Sequence, residues 1–201
     1  FGMPRTRITV FMNSTDTESL ASEFEKAYKF RQIESNLWEF LYIGTFNAEK
    51  QIDDLLTLAR DIYKVDSRFR LHLCGSGNES LELSDFDMQF IFEHGHKTGS
   101  ELAKIAADCK GIIITGRIGL VATDSFALRM PIFGIDKKVL HGPEIEYLNI
   151  RNSRLYADHQ SLRNGILEYI GDTNLFRELS SACLDSRSLY SSQTSARYFE
   201  E

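Results

Sequence analysis

The sequence predicts an α/β domain whose parallel sheet is covered by helices on both faces. Three observations predict it. Short runs are continuously apolar, at residues 40–43 (Phe-Leu-Tyr-Ile), 111–115 (Gly-Ile-Ile-Ile-Thr) and 131–135 (Pro-Ile-Phe-Gly-Ile). The segments between such runs carry apolar residues at helical spacing along one side. Glycines follow directly after several of the runs. A strand buried on both faces needs no polar alternation, so continuous runs separated by amphipathic helices point to a parallel sheet.

Taken in order, residues 7–11 (Arg-Ile-Thr-Val-Phe) read as a short strand. The cap-type residues Asn13 to Asp16 then lead into a helix over 18–30. Residues 40–43 form a buried strand ending at Gly44. Over 49–65, Ile52, Leu55, Leu56, Ala59, Ile62 and Tyr63 give a helix one apolar face. Residues 69–74 are the next strand and run into Gly75-Ser76-Gly77, and 88–92 are another. Leu102, Ile105 and Ala106 mark a helix over 100–109, before the strand at 111–115. A helix over 119–129 precedes the strand at 131–135, where Pro131 stands first and removes no central ladder bond. After Leu155 the pattern is helical over 158–170 and 172–190, and Asp158 and Asp172 are suited to capping. Residues 1–16 are read as an interdomain linker and first strand, and 17–201 as one Rossmann-like domain with a helical tail from about 156.

With 201 residues and 42% hydrophobic composition, the chain can bury a sizeable core. A net charge of −6, with no long run of Lys or Arg, excludes an electrostatic footprint for nucleic acid. No apolar stretch is long enough to span a bilayer and no charged-then-apolar leader opens the chain. Cytoplasmic location is the expectation. The three cysteines, Cys74, Cys109 and Cys183, are far apart and odd in number, as expected of buried thiols in a reducing compartment. The chain opens on Phe1 and reads as a piece excised from a longer protein.

In an open parallel sheet, ligands bind beyond the carboxyl ends of the strands. The loops at 44–50, 75–79, 93–99, 115–119 and 136–144 are therefore the ones to inspect. Lys50 falls in the first turn after Gly44 and can hold a diphosphate as a point charge; a solvated surface lysine is the alternative. Gly75 and Ser76 sit in a weaker Gly-Ser-Gly turn that need not touch a ligand. Arg117, between Gly116 and Gly119, has a fork of donors suited to phosphate; an exposed surface arginine is the alternative. Asp124 lies early in the next helix. It can accept bonds from ribose or sugar hydroxyls, or simply complement the helix dipole or face solvent. His94 can face a nucleotide, but His94 and His96 alone are a poor metal set, and no resident metal is expected. His141 and Glu144 flank a Gly-Pro turn that either presents them at the sheet's edge or starts a helix.

Several stretches, in order, resemble the donor domain of retaining family 4 (group 1) glycosyltransferases, which have the GT-B fold. Residues 40–56 (FLYIGTFNAEKQIDDLL) resemble the family's strand-Gly-Arg-x-x-x-x-Lys-Gly, with Lys50 at the Lys, Thr45 at the Arg and Gln51 at the second Gly. Residues 71–77 resemble its strand ending in Gly-x-Gly. The stretches from Phe90 to Gly95 and from Glu101 to Asp108 resemble the family's next strand, loop and helix. Residues 119–132 (GLVATDSFALRMPI) resemble its Gly-Leu-x-x-x-Glu-Ala-x-Ala-x-Gly-x-Pro-Val. Asn13 to Asp16 resemble the Asn-Gly-x-Asp that leads out of the interdomain linker.

The family's paired glutamates fall here on Gly116 and Asp124, a form similar to a divergent surface-polysaccharide branch. The resemblance implies transfer of a sugar from a nucleoside-diphosphate sugar to a saccharide or lipid-linked acceptor with retention, and no cofactor. Lys50 and Arg117 would steady the departing diphosphate and Asp124 the ribose or sugar. Gly44, Thr45, Gly75, Ser76, His94, Gly119 and Leu120 would line the donor site. It further implies a separate N-terminal acceptor domain, through which the longer protein could touch the inner face of a membrane. A non-catalytic sugar-nucleotide or partner module, and a sugar-nucleotide epimerase-like domain, are the alternatives.

Overall fold

Six strands run parallel in one sheet, in the order β3-β2-β1-β4-β5-β6. The computed structural model describes residues 17–29, 36–79, 81–137 and 140–190. The strand expected at 7–11 and the linker expected at 1–16 lie outside the described residues. The strands are β1 (Trp38–Ile43), β2 (Phe69–Cys74), β3 (Ile91–Gly95), β4 (Cys109–Ile114), β5 (Ile132–Ile135) and β6 (Ser153–Tyr156). The helices are α1 (Thr17–Lys29), α2 (Ile52–Val65), α3 (Gly99–Ala106), α4 (Val121–Ala127), α5 (His159–Tyr169) and α6 (Thr173–Leu189).

The helices cover both faces. α1 packs on α3 and α4, and α4 packs on α6, forming one layer; α2 and α5 form the other. Phe40 of β1 meets Phe69, Phe133 and Tyr169 beneath α5, and all four are fully or almost fully buried. Each such side chain stabilises the domain by about 1.5–3 kcal/mol relative to an exposed one. The expected caps form. The Asp158 side chain accepts from the Ser161 N–H at 2.7 Å, and Asp172 from those of Asn174 and Leu175 at 3.1 and 2.9 Å. The two C-terminal helices are thus layers of the domain, α5 against β5 and β6 and α6 against α4.

Several element ends shift by two or three residues, as where β4 begins at Cys109, expected to end a helix, and two segments differ in kind, each for a physical reason. Residues 87–89 form a 3₁₀ turn instead of a strand start, because Asp87 is pulled inside, and β3 begins at Ile91. β6 falls where only loop and helix were expected. It is an edge strand, half exposed and paired only with β5, so it needs no continuous apolar run. Among the described residues no helix is long and apolar enough to cross a membrane.

Asp87 is 1% exposed and receives the Arg60 guanidinium through two bonds of 2.8 Å. The Ser84 N–H and hydroxyl also donate to it. Hydrogen bonding from Arg60 holds its carboxyl well below the usual range. Removing one partner strands a buried charge, so Arg60→Ala should cost about 3 kcal/mol in urea unfolding near neutral pH. A depressed carboxylate stabilises only above the unfolded pKa, so the gap between the two proteins should close as pH falls below about 4. An unchanged gap at low pH would show that the pair contributes nothing through charge.

Candidate functional site

The chain builds β1, β2 and β3 outward in one direction, then returns through α3 to place β4 on the other side of β1. The loops leaving β1 and β4 therefore flank the crevice of the sheet's switch point, where parallel α/β sheets bind ligands. In the first loop, the Asn47 side chain accepts from the Lys50 N–H at 3.1 Å and closes a 3₁₀ turn over Ala48–Lys50. Gln51, at φ 50°, then swings the chain into α2.

That turn delivers Lys50 onto the second loop. Its Nζ donates to the Arg117 carbonyl at 2.6 Å, and the Arg117 N–H donates to the Glu49 carbonyl at 2.9 Å. The Thr115 hydroxyl donates to the Gln51 carbonyl at 2.9 Å. Gly116 makes the closeness possible: a Cβ there would lie 2.3 Å from Glu49 O and 2.5 Å from Lys50 C. Burial, followed by the Arg117 guanidinium, lowers the Lys50 pKa, with Glu49 and Glu144 acting the other way. Arg117 reaches Glu49 at 3.2 Å in an exposed pair, which holds it weakly. Lys50 and Arg117 thus stand on one rim.

Beside the rim lies a cavity of about 380 Å³. Of the residues singled out from sequence, Gly44, Thr45, Ser76 and Asp124 line it. The facing wall comes from His96, Lys97, Thr98 and Gly99, and its floor includes Leu20, Cys74 and Leu102. The loop at 93–99 was expected to matter, but these residues carry no local motif that marks them. Cys74 is inert there: burial pushes its thiol up to about 11. Lys97 pairs with Glu101 at 3.0 Å.

The other expected site residues, Lys50 and Arg117 included, lie outside the cavity wall. Gly75 is structural, since a Cβ on it would lie 1.9 Å from Gly44 O. The N–H groups of Gly44 and Gly75 are taken by Cys74 O at 3.2 Å and Gly95 O at 2.9 Å, so neither is presented to a ligand. His94 instead belongs to a chain on the sheet surface: its Nε2 is 2.9 Å from His72 Nδ1, and His72 Nε2 is 2.8 Å from Glu39. Burial, then His72, lowers the His94 pKa. Gly119 and Leu120 carry the second loop into α4; Leu120 is exposed, and the space over Gly119 is open to 4 Å. Among the described residues no group of three or more His, Cys, Asp or Glu is arranged to hold a metal ion.

No family model matches the sequence, and no curated protein matches it. Solved structures do. A TarM variant from S. aureus, crystallised with UDP, is 18% identical at a TM-score of 0.67, with 85% of this chain covering 36% of that one. HepE from Anabaena, crystallised with UDP and glucose, is 15% identical at 0.67, with 96% covering 55%. The C-terminal domain of LpcC, a glycosyl transferase group 1 family protein from Francisella tularensis, is 15% identical at 0.65, with 90% of this chain covering 100% of it. The chain therefore spans about a third of TarM and about half of HepE, but the whole of the LpcC domain. Its six-stranded, doubly covered parallel sheet has the fold of a GT-B glycosyltransferase domain.

Proposed function

We propose that this chain is the nucleotide-sugar-binding half of a glycosyltransferase. One observation carries the reading. The loops after β1 and β4 set Lys50 and Arg117 on a single rim, and the β1 loop, through Gly44 and Thr45, shares with Asp124 the lining of a cavity. A diphosphate leaving group develops negative charge as its bond to the sugar breaks, and fixed cations on that rim are placed to meet it. Asp124, in the first turn of α4, is placed to accept bonds from ribose or sugar hydroxyls. Side chains supply the positive charge in this reading, and no resident metal or cofactor is invoked. The acceptor, saccharide or lipid-linked, is bound by another part of a longer protein working in the cytoplasm at a membrane face. Transfer proceeds with retention. The presence of UDP in the TarM and HepE crystals supports a uridine nucleotide as the first ligand to try.

A module that binds the donor without turning it over is the second reading. Thr45 and Gly116, standing where the resembled family has Arg and Glu, favour it. Turnover by the full-length protein separates the two.

Calorimetric titration of UDP-glucose tests the shared claim. Lys50→Ala and Arg117→Ala should each weaken binding, Lys50→Ala by about tenfold or more, since bonds to charged groups contribute about 1.5–3 kcal/mol. The wild-type affinity should also fall as alkaline pH deprotonates Lys50, earlier than for an ordinary lysine, and the Lys50→Ala protein should not show that fall. Unchanged affinity in both variants would remove the rim from the site.

A further inference from the structure

We infer that His141, as a neutral imidazole bridging the ends of β4 and β5, is the positioning residue that holds the Arg117–Gly119 loop in its binding geometry. The inference rests on the donor-binding reading. The Ile118 N–H donates to His141 Nδ1 at 3.1 Å, and His141 Nε2 lies 2.8 Å from Ile135 O. The next residue completes the clasp, with the Gly142 N–H donating to Ile118 O at 2.8 Å. Both backbone groups of Ile118 therefore end on residues 141 and 142, while those of Arg117 end on Glu49 and Lys50. The loop is tied to β1's side through Arg117 and to β5's side through Ile118.

The network fixes the protonation state. A backbone N–H can only donate, so Nδ1 must carry a lone pair and Nε2 the proton, which it gives to Ile135 O. The Lys137 N–H, 3.4 Å from Nε2, has Ile135 O at 3.1 Å instead. A second proton would sit on Nδ1, facing the Ile118 N–H, and would break the bond. Ile118 is fully buried, so its N–H is shielded from bulk solvent.

The charged groups around the ring come from three elements. Asp136, just past β5, favours the imidazolium, and Lys50 from the β1 loop opposes it. Buried Glu144, on the 3₁₀ turn Pro143–Tyr147, faces Gly142. Burial is the largest influence and lowers the His141 pKa, so the neutral form persists at neutral pH and is lost on acidification. Donor affinity should therefore be intact above the lowered value and should decline as pH falls through it.

Two substitutions separate positioning from bulk. Asn at this site places an amide oxygen near Nδ1 but does not titrate; Leu fills the space and accepts nothing. UDP-glucose is the probe because its diphosphate does not titrate in the histidine range. His141→Leu should lose about tenfold in affinity, equivalent to about 1.4 kcal/mol. His141→Asn should stay within about threefold of wild type at about pH 7.5. As pH falls below the ordinary histidine range the wild-type affinity should decline while that of His141→Asn stays level.

Amide exchange followed by NMR gives a readout independent of the nucleotide. The Ile118 amide should be protected in wild type and in His141→Asn, and exchange faster in His141→Leu or in acidified wild type. Equal Ile118 protection in all three proteins, or an equal pH decline in wild type and His141→Asn, overturns the inference. If no form binds UDP-glucose, the donor-binding reading falls, and the Ile118 amide alone then decides the role of His141. If His141→Leu does not fold, the contrast between wild type and His141→Asn across pH decides it.

Discussion

Replacing Gly116 with glutamate, the residue that the resembled glycosyltransferases carry there, is expected to abolish nucleotide binding instead of restoring a missing catalytic contact. The reason is steric and precedes any chemistry of the carboxylate. A Cβ at residue 116 would lie 2.3 Å from Glu49 O, 2.5 Å from Lys50 C and 2.7 Å from Lys50 Cα. All three are backbone atoms of the opposing loop, so no rotamer change relieves the contact. The loops must separate, and separation breaks the Lys50–Arg117 bond, the Arg117–Glu49 bond and the Thr115–Gln51 bond together. Alanine suffices to make the point. Gly116→Ala should destabilise the domain by about 3 kcal/mol, the upper end for overpacking a rigid site. It should also weaken UDP by more than Lys50→Ala does, because it displaces both cations. Affinity for UDP within about twofold of wild type in Gly116→Ala would show that the contact between the loops is dispensable. If the variant melts before titration is possible, the melting temperature alone carries the result.

The same glycine shows how far the sequence can be read. Gly116 stood out as a departure from the family pattern, and its packing against Glu49 and Lys50 explains why a side chain is absent. Gln51 and Arg129 show the converse. They stand where the resembled pattern has glycine, and they are the non-glycine residues of positive φ among those described, at 50° and 52°. The backbone demand has outlived the residue that meets it easily, at about 1–2 kcal/mol each. The central strands were legible because burial on both faces forces continuous apolar runs. β6 was not, because an edge strand with one neighbour is under no such demand. The rim was legible because its cations follow glycine turns after strands. The rest of the cavity was not: His96 to Gly99 follow edge strand β3, and Leu20 arrives from α1, so no single stretch of sequence records their meeting.

Gly75→Ala should be among the most destabilising single methyl additions in the domain, although Gly75 touches no part of the cavity. The pairing of β1 and β2 does not stop where the strands end. The Gly44 N–H donates to Cys74 O, the Phe46 N–H donates to Ser76 O at 3.1 Å, and Phe46 bridges to Gly77. A Cβ on Gly75 would lie 1.9 Å from Gly44 O and 3.1 Å from Gly44 C. The β1 loop is anchored against yielding, since the Tyr42 hydroxyl donates to Thr45 O at 2.8 Å. Opening this zipper costs about 3 kcal/mol or more and lowers the melting temperature by roughly 10 °C for a domain of this size. Gly119→Ala is the matched comparison. Nothing lies within 4 Å of its added methyl and its φ is not in the left-handed region. That protein should melt within about 1 °C of wild type. If a diphosphate approaches the rim over Gly119, the same methyl should still weaken UDP by about tenfold. Two glycines in strand-end loops on either side of β1 would then divide cleanly, one reporting through stability and the other through affinity. Equal melting temperatures for the two alanine variants would mean that the strand-end zipper yields, and that Gly75 is there for some reason other than the approach of Gly44.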